Sequence, residues 1–483
     1  MWPMESTELC DLGLLEMTRL LRERRLSARE AVTAHLERID QVNGVINAVC
    51  TLDADRALEA AAEADRRAAA GQPLPVLHGV PMTHKDTHDT AGMRTTLGSA
   101  LYADRVPTTD APIVAMLRGA GVITTGKTNV PELAAGSHTF NPIFGTTTNP
   151  YDPSRSSGGS SGGVAAAVAA GIQPAGDASD MGGSIRTPAS FCNLVGLRPS
   201  AGLVPLGNAN DPWAWISRKG ALARTVADLR LMMSVIGRSH PSSAIHPAGQ
   251  NPVSDRVRAG DLSGLRVAWT PDLGLGIPVA GPVLTVLTEQ LRHFETLGAH
   301  VEVAAPDLRD ADEVFSTTRA LDFSTTYEQI YLEHRDELKP ALQWNIECGL
   351  ALTSDDLRSA TRARSRLHRS TTAFFDRYDV LLAPTTQVQP FDASLEYPTE
   401  IDGVRMETYL DWMRAATLIS ATGLPAMSVP AGFDIDGLPV GLQMVGADGS
   451  DDLLMAVAEA FERVNPQHHI RPDRRTTRPA SAR

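Results

Sequence analysis

Two glycine-wrapped serine clusters are the residues of this chain best suited to chemistry. Ser160 and Ser161 lie between the pairs Gly158-Gly159 and Gly162-Gly163, and Ser184 follows Gly182-Gly183. Glycine permits positive φ and lets main-chain N–H groups come close to a ligand. A hydroxyl beside bare N–H groups is what acyl transfer requires, a nucleophile next to an oxyanion hole. Lys85, in Gly79-Val-Pro-Met-Thr-His-Lys-Asp-Thr87, adds a base. A serine–serine–lysine hydrolase is the leading reading.

Three other strings imitate functional motifs. Gly121-Val-Ile-Thr-Thr-Gly126-Lys127-Thr128 matches GxxxxGK[ST]. A phosphate loop joins a strand to a helix. Here a helix capped by Asp110 and carrying Ile113, Val114 and Leu117 comes first, and Val122 to Thr125 are themselves β-formers, so nucleotide binding is not expected. His84, Asp86 and His88 alternate, so on a strand they would share a face and resemble metal ligands. With no third ligand cluster elsewhere they read as polar lining of a cleft, and neither metal nor cofactor is expected. Gly158-Gly-Ser160-Ser-Gly162 fits the GxSxG nucleophile elbow, which needs a buried strand before it. Residues 149–155 read as coil instead, although histidines from His240 to His368 keep a Ser–Asp–His order open.

The elements that must position these residues follow from pattern. Residues 8 to 70 read as helices, with Ser27 and Glu30 forming a capping box. Short β-like and helical pieces then alternate to residue 235. The Pro-, Ser- and Gly-rich stretch from His240 to Gly264 reads as a loop or linker. Leu265–Trp269, the helical face Val283-Leu284-Leu287-Leu291-Phe294-Leu297, and Val301–Val303 make one βαβ unit. Arg358, Arg362, Arg364, Arg366 and Arg369 crowd a helix and read as a solvated face. The alternation implies an α/β sheet between helix layers.

At 483 residues the chain allows two or three average domains or one large one. A net charge of −13 spread along the chain argues against a nucleic-acid partner, which needs a basic face. Cys10, Cys50, Cys192 and Cys348 are far apart, which fits free thiols in a reducing compartment. The first residues place acidic groups before a short apolar run and basic ones after it, the reverse of a signal peptide. No stretch approaches the roughly 18 apolar residues of a membrane helix. A cytoplasmic protein with no membrane partner is expected.

Longer motifs carry a resemblance. Gly158–Gly163, Ser179-Asp-Met-Gly-Gly-Ser-Ile-Arg-Thr-Pro-Ala189 and Phe191-Cys-Asn-Leu-Val-Gly-Leu-Arg-Pro199 resemble the core of the amidase signature family. Gly79-Val-Pro, Lys85-Asp86, Gly126-Lys-Thr-Asn129, Gly423–Gly432 and Asp436–Gln443 resemble its flanking blocks. The resemblance covers about residues 10 to 460. It implies a single large α/β domain, a central mixed sheet flanked by helices on both faces. The expected division is an N-terminal helical segment 1–70, a core 71–235, a loop 240–264, a remainder 265–465 with pocket elements, and a flexible tail 466–483.

The resemblance also implies roles. Ser184 becomes the nucleophile, Ser160 the proton relay on a cis Gly159–Ser160 bond, and Lys85 the terminal base. The N–H groups of Met181, Gly182, Gly183 and Ser184 become the oxyanion hole. A base near neutral pH must be largely uncharged, so Lys85 must be buried and unpaired, with Asp86 pointing away. Thr83-His84 replaces an apolar pair common in the family and would make the lysine pocket more polar, while Asp180 and Arg186 read as a structural ion pair. Candidate pocket residues are Phe140, Ile143, Phe144, Trp344, Cys348, Tyr409, Trp412 and Met413, which suit an apolar or aryl group. Trp344–Glu347 and Tyr409–Met413 resemble the nylon-oligomer and urethane-cleaving branch. The expected partner is a small neutral amide or carbamate, with a homodimer allowed. The alternative is a glutamine-hydrolysing A-type subunit of a tRNA-dependent amidotransferase.

Overall fold

The computed structural model describes residues 6–207, 211–238, 240–245, 257 and 260–473. Its central sheet has eight strands, in the order His300–Val303, Arg266–Trp269, Val380–Pro384, Pro439–Val445, Ala426–Phe433, Val195–Arg198, Arg218–Ala223 and Ala175–Asp180. The first three pair in parallel and the rest antiparallel, so the sheet is mixed. Val380–Pro384 is buried along its whole length, as its unbroken apolar run demands of a strand covered on both faces. Helices Val226–Ile236, Gly281–Thr296 and Asp451–Val464 pack together against the sheet. Gly162–Ala169 and Arg186–Phe191 form a second set on it.

A three-stranded sheet carries the lysine. Pro81–Lys85 pairs in parallel with Ile123–Thr128, which pairs antiparallel with Val49–Leu52. Pro81–Lys85 packs against the edge strand Ala175–Asp180 of the large sheet. The phosphate-loop look-alike is resolved here, because Gly126, Lys127 and Thr128 lie inside a strand. Lys127 is buried and donates to His88 O at 2.5 Å and Thr90 Oγ1 at 2.8 Å.

The capping box at Ser27 and Glu30 forms, and so does the parallel βαβ unit. The arginine-rich helix Ser354–Phe375 exposes all five arginines named above. Three expectations are corrected. Val49–Leu52 is a strand inside the segment read as helical; its edge pairing with Ile123–Thr128 decides its state. Asp110 does not cap Pro112–Gly119: the proline at the first turn has no N–H to satisfy. The carboxylate instead accepts from Ala91 N at 2.7 Å and pairs with Arg118 at 2.8 Å. Residues 466–470 are docked rather than loose, since Tyr151 Oη donates to Ile470 O at 2.9 Å and Asn193 Nδ2 to Gln467 O at 2.9 Å. Residues 474–483 of the expected tail, and parts of 240–264, lie outside the described residues; the described part of 240–264 is turn and loop.

Gly163 opens the helix after the serine loop and lies against the chain at Asn129. A Cβ there would meet Asn129 N and O at 2.5 Å. Gly163→Ala should therefore lower stability by about 1–3 kcal/mol through overpacking, despite the better helix propensity of alanine. Urea unfolding midpoints check this; an unchanged or higher midpoint would contradict the packing argument.

Candidate active site

Lys85 ends its strand wholly buried, with Nζ 2.8 Å from Ser160 Oγ, 2.9 Å from Ser161 Oγ and 2.8 Å from Ser179 Oγ. Among the described residues no carboxylate lies within ion-pair distance of it. Burial pushes its pKa down to about 7, against the opposing pull of Asp180 and Asp177. Asp86 points away, as expected: its Oδ2 accepts from Thr96 Oγ1 at 2.6 Å and Thr96 N at 3.1 Å. Thr83 and His84 turn to partners of their own. Thr83 donates to Gln173 Oε1, and His84 Nδ1 lies 2.8 Å from Asp177 Oδ1. The polar surroundings of the lysine are therefore hydroxyls.

His88 Nδ1 reaches the other oxygen of Asp177 at 2.5 Å. The alternating His84, Asp86 and His88 thus split between Asp177 and Thr96, and no cluster of three metal-ligating side chains occurs among the described residues.

The Gly159–Ser160 peptide is cis. Gly158 before it has φ +75°, and a Cβ there would sit 2.9 Å from Pro188 Cα, so only glycine fits. Ser161 N donates to Ser184 O at 3.2 Å, which ties the two serine loops together. Ser160 and Ser184 both line one cavity of about 630 Å³.

The turn from Met181 to Ser184 is organised by Asp180. Burial works against its ionised form, but Arg186 and Arg198 outweigh that and hold it well below the usual carboxylate range. Arg186 Nε and Nη2 each donate to it at 3.0 Å, and Ile185 N donates at 3.2 Å. Gly183 N also donates to Asp180 Oδ1, at 2.9 Å. That corrects the expected four-donor hole, because the ionised carboxylate beneath the turn claims the Gly183 N–H. Met181, Gly182 and Ser184 keep N–H groups without a partner among the described residues. The Asp180–Arg186 pair is structural as read. Arg198, whose Nη1 donates to Asp180 O at 2.6 Å, was missed, although it stands in the quoted Leu197-Arg-Pro199 motif.

Of the eight proposed pocket residues, only Met413 lines this cavity. Tyr409 is buried, with its hydroxyl accepting from Arg319 Nη2 and Asn345 Nδ2 at 2.7 Å each. Trp412 stacks on Phe191 in a separate core cluster. Phe140 lies under Lys339 Nζ and Phe144 under Arg94. Ile143 sits in the turn capped by Asn141, Trp344 packs edge-on against Tyr409, and Cys348 is a half-buried free thiol. The apolar wall comes instead from Leu97, Leu133, Phe323, Tyr327 and Met413. Arg319, Phe323 and Tyr327 recur every four residues on helix Ala311–His334, a spacing that marks one face and was the available signal. Arg218, Lys219, Arg319 and Asp322 add charge to the lining.

The chain is similar to known proteins along most of its length. A family model described as Amidase matches residues 30–455. An acylamidase of Rhodococcus erythropolis is 37% identical over 469 residues, covering 95% of this chain and 97% of that protein. The A-type glutamyl-tRNA(Gln) amidotransferase subunit of Thermosynechococcus vestitus is 34% identical over 484 residues, covering 95% of this chain and 98% of that protein. The crystal structure of a bacterial aryl acylamidase belonging to the amidase signature enzymes superposes with a TM-score of 0.89 at 29% identity, covering 97% of this chain and 99% of that one.

The lysine environment has a thermodynamic signature. Lys85 passes from an unfolded pKa of about 10.4 to about 7 in the folded chain. Between those values the unfolded state binds more protons, so stability rises with pH. Below pH 7 the buried ammonium costs on the order of 4–5 kcal/mol, at about 1.36 per unit. Lys85→Met should therefore be more stable than the wild type at pH 6, with the gap closing towards pH 10. Urea midpoints at both pH values test it; a gap independent of pH would place the ammonium in solvent.

Proposed function

Since the chain belongs to the amidase signature family, we propose that it hydrolyses the C–N bond of a small amide through an acyl-enzyme on Ser184. The observation that carries this reading is a buried lysine, free of any ion pair among the described residues, with Nζ 2.8 Å from Ser160 Oγ. Neutral Lys85 takes a proton from Ser160 as Ser160 takes one from Ser184. The Ser184 oxygen attacks the carbonyl carbon. The oxyanion is met by the N–H groups of Met181, Gly182 and Ser184, each able to contribute roughly 3–4 kcal/mol to the transition state. The proton then returns through Ser160 to the departing nitrogen, the amine leaves, and water hydrolyses the ester by the same route.

An apolar or aryl substituent suits the wall of Leu97, Leu133, Phe323, Tyr327 and Met413. Carbamates and activated esters offer the same carbonyl and are secondary substrates. The lining does not demand the neutral substrate expected from the sequence, because Lys219, Arg319 and Asp322 are part of it. The rival reading is a glutamine-hydrolysing component of an amidotransferase, favoured by the similarity to the Thermosynechococcus protein.

Ser184→Ala should abolish turnover and labelling by a fluorophosphonate probe. Ser160→Ala and Lys85→Ala should each lose orders of magnitude, because the three act as a unit. Labelling at Ser160 would sink the assignment. For an aryl anilide, kcat/KM should rise with pH through an apparent pKa of about 7. A rise only above about pH 10 would mean that Lys85 is not the base. Turnover of glutamine with the anilide ignored would replace this reading by its rival.

A further inference from the structure

Lys219 lines the same cavity as Ser160 and Ser184. It stands directly opposite Ser179 in the antiparallel pair of Ala175–Asp180 and Arg218–Ala223. Cross-strand partners leave a sheet on the same face. The Lys219 side chain therefore rises on the face where Ser179 Oγ meets Lys85 Nζ. Among the described residues its ammonium has no hydrogen-bond or ion-pair partner.

The groups around it explain why. Asp177 and Asp89 are the carboxylates that act on it most. Both oxygens of Asp177 are held by His84 and His88, and Asp89 is gripped by both terminal nitrogens of Arg105 at 2.8 and 2.7 Å. Burial lowers Lys219 to about 8, which leaves it mainly cationic at neutral pH. The other cations of the cavity are occupied. Arg319 donates to Asn345 Oδ1, Tyr409 Oη and Met181 Sδ, and Arg218 to the carbonyls of Ser217 and Gly423. Asp322, a lining carboxylate with no partner among the described residues, lies on helix Ala311–His334 close enough to Arg319 to feel its charge, rather than on the sheet that carries Lys219. A sheltered ammonium with no partner among the described residues, in the cavity that Ser160 and Ser184 line, is suited to hold an anion.

We propose that Lys219 anchors a carboxylate of the substrate, so that the preferred amides carry an anionic group besides the scissile bond. The inference rests on Ser184 as the reacting residue. It adds a specificity determinant that no step of the proton relay uses. The apolar wall takes the carbon skeleton, and Lys219 fixes its charged end.

The test uses two matched pairs. Glutaryl-4-nitroanilide against butyryl-4-nitroanilide places the carboxylate on the acyl side, and 4-acetamidobenzoate against acetanilide places it on the amine side. In at least one pair the anionic member should have a KM lower by about tenfold or more, the size of one charge-assisted hydrogen bond in a sheltered site. Lys219→Met should remove that advantage and leave the alkaline-plateau kcat for the neutral members within about twofold, while Lys219→Arg restores part of it. Preference for the neutral member in both pairs would overturn the proposal. So would an equal loss of plateau kcat/KM on both members in Lys219→Met; plateau values are compared because the Lys219 charge also helps lower Lys85. Calorimetric binding of glutarate and 4-aminobenzoate to Ser184→Ala reads the subsite without turnover. Anion binding lost in the Ser184→Ala/Lys219→Met double variant supports the subsite even if no anilide is cleaved, an outcome that would count against the amidase reading alone. Absence of binding by both anions overturns the subsite itself.

Discussion

The buried carboxylate of Asp180 is the constraint on which the site depends. A charge removed from water is tolerated only when its lone pairs are fully met. Asp180 achieves this with backbone N–H groups from the turn it supports and with two arginines. Arg186 carries the connection further, donating to Ala416 O, Gln443 Oε1 and Ser420 Oγ. One ion-pair network thus pins the Met181–Ser184 turn to the middle of the large sheet and to helix Arg414–Thr422. Because the carboxylate claims the Gly183 N–H, that donor is not free for a ligand.

The lysine is governed by the opposite rule. Lys85 has hydroxyls around its nitrogen and no direct carboxylate, so burial outweighs the more distant pull of Asp180 and Asp177. The nearby negative charge of Asp177 is turned towards two histidines instead. A carboxylate in contact with Nζ would favour the ammonium and remove the base. The His84–Asp177–His88 arrangement is thus consistent with a site that keeps its lysine neutral, although its residues look like metal ligands in the sequence.

The grouping of Lys85, Ser160 and Ser184 was more legible in the sequence than the pocket was. Ser160, Ser184 and Lys85 stand in long motifs whose glycines have steric reasons to be there, and local signals such as Ser27 with Glu30 act within a single turn. The pocket is a tertiary property. Tyr409 and Trp412 look like ligand-binding aromatics, yet one is bonded to Arg319 and Asn345 and the other is packed among phenylalanines. The spacing of Phe323 and Tyr327 marks one helix face, but only the lie of that helix brings the face to the cavity. The same limit hid the strand Val49–Leu52, which exists only through pairing with a distant partner, and the docked segment at Ile470.

The proposed base and the proposed nucleophile belong to different sheets. Lys85 rides on the three-stranded sheet and Ser184 on a turn leaving the eight-stranded one, with Ser160 between them. Their alignment is therefore a measure of how the two sheets are seated on each other. A displacement too slight to alter helix content or expose the core would still part Nζ from its hydroxyl. The proposed turnover therefore demands more of the fold than secondary structure does: it demands that the two sheets stay seated.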